Sequence, residues 1–140
     1  MKKHCLLTYF CLLPFAALAQ SFEVAMPLNT TPLLAGNFAE LRPNHFHGGV
    51  DLKTEGREGL QVLSAADGYV SRIKVSPYGY GKMLFITHAN GYVTTYGHLQ
   101  KYAPNIEAYV KKKQYEKQTY EIDILLSETD FVVKKGEWVG

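Results

Sequence analysis

The 140-residue sequence predicts a mainly β domain of antiparallel hairpins, and three observations carry that expectation. Short β-rich runs recur along the chain, Gly, Asn and Asp punctuate them at turn spacing, and only one segment has helical periodicity. Leu60 to Ala65 and Tyr69 to Val75 are expected to form a hairpin through Ala66-Asp67-Gly68, because Asp-Gly tolerates the positive φ of a tight turn. Lys82 to His88 and Tyr92 to His98 repeat the pattern around Asn90-Gly91. Alternation in the first of these runs puts Met83, Phe85 and Thr87 on one face and Leu84, Ile86 and His88 on the other, as in a sheet covered on both sides. Pro77-Tyr78-Gly79-Tyr80-Gly81 reads as an aromatic loop between the hairpins.

The helix is expected over Pro104 to Lys117, where Ile106, Tyr109 and Val110 share a face and Pro104 suits the first turn. Lys111 to Lys113 and Lys117 then form a basic patch, read as a solvated helix face rather than an anion site. Thr119 to Leu126 and Phe131 to Val133 look like further strands, with a turn at Lys135-Gly136-Glu137 before Trp138.

The N-terminus is expected to be an address rather than part of the fold. Lys2 and Lys3 precede an apolar run from Cys5 to Leu18 that is too short to span a bilayer, and Ala17-Leu18-Ala19 supplies a signal-peptidase site. Cleavage after Ala19 removes both cysteines, Cys5 and Cys11, so the exported chain from Gln20 holds no disulfide. A stable membrane anchor is then not expected. Setting Lys2 and Lys3 aside leaves 13 basic residues against 13 acidic, which argues against a nucleic-acid partner.

Chemistry is concentrated in two strings. In His45-Phe46-His47-Gly48-Gly49-Val50-Asp51, the glycine pair disfavours a helix, and an extended chain would place His47, Gly49 and Asp51 on one face. An imidazole nitrogen and a carboxylate oxygen on one face are suitable zinc ligands, and a polar turn with surface histidines accounts for the same spacing. In Thr94-Thr95-Tyr96-Gly97-His98-Leu99, His98 is either a candidate acid, base or charge stabiliser or an ordinary half-buried side chain. His88 is read as structural.

Taken in order, these strings resemble the lysostaphin/LytM-type murein endopeptidases over about residues 37 to 140. His47-Gly48-Gly49-Val50-Asp51-Leu52 is similar to that family's H-x-G-x-D opening, and Ala65-Ala66-Asp67-Gly68-Tyr69-Val70 to its A-x-x-G-x-V segment. Tyr80-Gly81-Lys82 and His88-Ala89-Asn90-Gly91 follow. Tyr96-Gly97-His98-Leu99 then resembles the Y-x-H-L segment, and Val133 to Gly140 the V-x-x-G-x-x-x-G strand.

The resemblance implies that His47 and Asp51 are zinc ligands, that His98 is a catalytic histidine beside the metal, and that the substrate is peptidoglycan, cut in its stem peptides or cross-bridges. A polar, turn-rich lead occupies 20–36, and the resemblance implies a metallopeptidase domain at 37–140 with an insertion at about 103–130. The family takes its third ligand from an H-x-H motif that would follow Gly140, and the sequence carries none downstream of His98. Residues 20–140 alone are therefore expected to be an incomplete, inactive fragment that binds zinc weakly and associates through an uncovered strand edge. The alternative is a non-catalytic module of the same fold that binds peptidoglycan or regulates an amidase.

Overall fold

The computed structural model describes residues 22–140, and its centre is an antiparallel sheet built on the strand Gly68–Val75. The strands, in chain order, are β1 (Leu34–Gly36), β2 (Asp51–Leu52), β3 (Gly68–Val75), β4 (Lys82–His88), β5 (Val93–Leu99), β6 (Ile122–Leu125) and β7 (Val132–Val133), with α1 (Pro104–Lys117) between β5 and β6. The main sheet runs β5-β4-β3-β6, and β7 pairs with the other half of the same β3 edge. β1 and β2 form a separate two-stranded ladder. The expected export signal, with Cys5, Cys11 and the site after Ala19, lies outside the described residues.

The β4–β5 hairpin forms where Asn90-Gly91 predicts it, with Gly91 at φ 82° and the Asn90 side chain accepting the Tyr92 N–H. Leu84, Ile86 and His88 are buried, whereas Met83, Phe85 and Thr87 are half-buried, so one face carries the core and the other is partly covered. On β3 the pairing steps from Val70↔Ile86 to Arg72↔Phe85, which leaves Ser71 as an extra residue. That bulge shifts the parity and returns Val70, Ile73 and Val75 to the buried face.

The helix spans the expected residues. Pro104 opens it, Gln118 closes it in the left-handed conformation, and Ile106 and Val110 enter the core beside the fully buried Tyr102. Lys111, Lys112 and Lys117 are exposed, and the half-buried Lys113 pairs along the helix with Glu116 at 2.8 Å. The segment read as an insertion thus supplies both a core helix and the edge strand β6, which pairs with Arg72 to Val75.

The hairpin expected from Leu60 to Val75 does not form. Leu60 to Ala65 carries only an isolated bridge, Leu63 to Trp138, and its backbone bonds run instead to Ala25, to Pro27 and to the 136–140 segment. The turn expected at Asp67-Gly68 is not made: Gly68 has no positive φ and begins β3, and the Asp67 carboxylate accepts the Lys135 N–H at 2.7 Å and the Lys134 ammonium at 3.2 Å. Those contacts hold its pKa below the usual aspartate value, the Lys135 N–H contributing most.

Candidate functional site

A groove of about 1210 Å³ runs between the lead segment at Val24 to Leu28 and the end of β5, and His47, Asp51 and His98 all line it. His45 does not take part. It is exposed and its ring meets the Asn44 side chain at 2.6 Å. His88 is buried, with Nδ1 2.8 Å from the Asp67 carbonyl and Nε2 3.0 Å from the Thr94 hydroxyl, which satisfies both ring nitrogens in the structural role expected of it.

His47 precedes β2 and Asp51 begins it; the chain from His47 to Val50 is not a strand, yet its bend brings the two side chains together. Nε2 of His47 lies 3.2 Å from Oδ1 of Asp51. Nδ1 of the same ring lies 3.0 Å from the Asn37 carbonyl and 3.5 Å from Arg42 Nη2; the carbonyl is the nearer and has no proton to give, so Nδ1–H donates to it. In the neutral ring Nε2 is then a bare lone pair facing a carboxylate oxygen. Such an arrangement is relieved either by protonating the imidazole, which makes an ion pair, or by a cation between the two atoms.

The pair suits zinc in donor type, and the spacing is one that two ligands at about 2.0–2.2 Å from a common ion share. Among the described residues there is no group of three or more His, Cys, Asp and Glu side chains that would hold a metal by itself. His47 and Asp51 therefore fit as part of a centre, short of a full ligand set.

His98 is held differently. β5 pairs Leu99 with Lys82 and Tyr96 with Leu84, so Gly97 and His98 together oppose Met83. His98 occupies this bulge at φ 55°, a left-handed conformation that costs a non-glycine residue about 1–2 kcal/mol. Its N–H donates to the Tyr80 carbonyl at 3.0 Å, and its imidazole is exposed. Among the described residues neither ring nitrogen has a hydrogen-bond partner, so both are available to a bound molecule. Strain held at an exposed imidazole in a groove is a pattern expected of a functional residue.

Three neighbours of the His47–Asp51 pair escaped the sequence reading. Arg42 Nη2 donates to Asp51 Oδ2 at 2.8 Å and lies 3.5 Å from Glu40 Oε2. Asn37 accepts from His47 and donates its own N–H to the same Glu40 oxygen at 3.0 Å. The legible signal was Pro43-Asn44, a turn dipeptide that folds Leu41 back onto Phe46 and so carries Arg42 toward the motif.

No curated protein and no solved structure is found to match the chain. The model of peptidase family M23 matches residues 45–115, which takes in the His47–Asp51 string, β3 to β5 with His98, and most of α1. With half the chain matched and the antiparallel architecture that the motifs predict, the protein belongs to peptidase family M23.

Proposed function

We propose that the chain carries part of the centre of an exported zinc endopeptidase that hydrolyses peptide bonds in peptidoglycan. The observation that carries this reading is the convergence of His47 Nε2 and Asp51 Oδ1 at 3.2 Å with Nδ1 already engaged by Asn37. Family membership supports a peptidase; the ligand pair supports zinc.

Zinc bound there would supply a Lewis acid that polarises a carbonyl and acidifies water. His47 and Asp51 would hold it, and the fixed Nδ1–H keeps the ring in the tautomer a ligand needs. His98 would donate to the oxygen on which charge develops, or move the proton to the leaving amine, from its unpartnered ring nitrogens. Peptidoglycan as the substrate and export through the 1–19 signal go together, since that polymer lies outside the cytoplasmic membrane. The missing third donor among the described residues favours one rival, a module that binds peptidoglycan or regulates an amidase without cleaving.

The test is digestion of purified peptidoglycan by residues 20–140 and by a form that continues past Gly140 through an H-x-H motif, with products read by mass spectrometry. New amine termini from the longer form, abolished by a chelator, are expected. Tight wall binding with no new termini from either form would establish the rival.

A further inference from the structure

We propose that Arg42, held by Glu40 and seated over Gly36, is the positioning residue of the His47–Asp51 centre. The proposal rests on reading that centre as a metal site. The contacts close into a ring: Arg42 Nη2 on Asp51 Oδ2 at 2.8 Å and near Glu40 Oε2 at 3.5 Å, the Asn37 N–H on that same Glu40 oxygen at 3.0 Å, His47 Nδ1 on the Asn37 carbonyl at 3.0 Å, and His47 Nε2 facing Asp51 Oδ1 at 3.2 Å. Arg42 Nη2 also lies 3.5 Å from His47 Nδ1, so the guanidinium reaches both candidate ligands, and the atoms left facing each other across the ring are His47 Nε2 and Asp51 Oδ1.

The ring has two consequences for a cation. With Oδ2 engaged by the guanidinium, Asp51 would present Oδ1 to a cation. Glu40 offsets the Arg42 charge, so the guanidinium can hold the carboxylate without leaving a net positive neighbour beside the metal.

Stability does not explain the arrangement. Among the described residues Arg42 Nε is buried with no hydrogen-bond partner, a cost that a partly exposed ion pair does not offset. Gly36 on β1 provides the room. A Cβ at this position would lie 2.5 Å from Asp51 Oδ2, 2.6 Å from Arg42 Nη2 and 3.1 Å from Glu40 Oε2. Gly36 has no positive φ, so the absence of a side chain here serves space and not backbone conformation. The atoms in the way are the ends of side chains, which would swing aside and break the ring while leaving the fold in place.

Zn²⁺ titration of the full chain, followed by the ring nitrogen shifts of His47, tests the proposal. Wild-type protein should show the Nδ1–H tautomer before metal and a response at Nε2 on adding Zn²⁺. Gly36→Ala and Arg42→Met should keep the circular dichroism and melting midpoint but bind Zn²⁺ about 10–100-fold more weakly, with Arg42→Lys between them and wild type. In the Co²⁺ forms, the variants should change visible absorption as Asp51 is freed to offer both oxygens. If wild-type His47 ignores Zn²⁺, the metal reading fails and this proposal with it. If wild type responds and both variants bind Zn²⁺ within twofold of it, Arg42 has no positioning role and only this proposal falls. Should Arg42→Met unfold, Gly36→Ala and Glu40→Gln carry the same comparison.

Discussion

The Tyr80 ring lies 5.4 Å from the His98 imidazole at a tilt of 49°, and the carbonyl of the same tyrosine receives the His98 N–H. Tyr80 also packs over Gly97, where a Cβ would come within 3.2 Å of its ring. The loop from Pro77 to Gly81 thereby clamps the bulge that aims His98 into the groove.

Because His98 sits at φ 55°, its identity opposes its conformation. His98→Gly should stabilise the fold by about 1 kcal/mol in urea denaturation, since glycine adopts that region freely. His98→Val should destabilise it by at least as much, because a β-branched side chain is the poorest fit there. Equal stability of the two variants would show that the bulge relaxes and that no strain is stored at His98.

Ligand and non-ligand histidines should separate cleanly. His47→Ala should abolish the Zn²⁺ response of the chain, and His98→Ala should keep Zn²⁺ affinity within about twofold while losing most cleavage in any active form. Metal analysis after dialysis, beside the peptidoglycan assay, distinguishes them. Zinc retained by His47→Ala would remove that residue from the centre.

Local patterning made β4, β5 and α1 legible, because each forms from neighbouring residues with an explicit turn or cap between or beside them. The Leu60 to Ala65 run was misread for the opposite reason. Its partners, Ala25, Pro27 and the 136–140 segment, are distant in sequence, and Asp67, the residue that marked a hairpin, is committed to Lys134 and Lys135. At the site, spacing pointed to His47 and Asp51 but not to Arg42 or Gly36. Their importance depends on how β1 lies against β2, a pairing of three residues with two that leaves no periodic trace.

Tyr102 tests the junction between helix and sheet. Its hydroxyl lies 3.0 Å from the Lys74 carbonyl and 3.1 Å from the Met83 carbonyl, on β3 and β4, and burial pushes its pKa well above the ordinary tyrosine value. Tyr102→Phe keeps the ring packing and removes the donor, which should cost about 1 kcal/mol in chemical denaturation; no change would mean that the two carbonyls are already satisfied.

Glu107 sets part of the acid sensitivity. Burial raises its pKa, but the Tyr102 N–H at 3.0 Å, the Lys82 ammonium at 3.2 Å and Lys111 more than offset this, so the carboxyl titrates below the ordinary glutamate value. A folded-state pKa that is depressed contributes stability above the unfolded value and loses it as pH falls through the folded one. The contribution should therefore be complete near neutrality and fade below the usual glutamate range. Asp67, Glu116, Asp123 and Asp130 are lowered too and act in the same direction, so the wild-type slope alone does not isolate Glu107. Comparison with Glu107→Gln does. The variant should be less stable at pH 7 by about 1–2 kcal/mol, the worth of hydrogen bonds to a charged acceptor, and the gap should close on acidification as the wild-type carboxylate takes up its proton. A gap that stays constant from neutral to acid pH would show that the substitution acts through packing at the start of α1, and that the charge of Glu107 contributes nothing to the junction with Lys82.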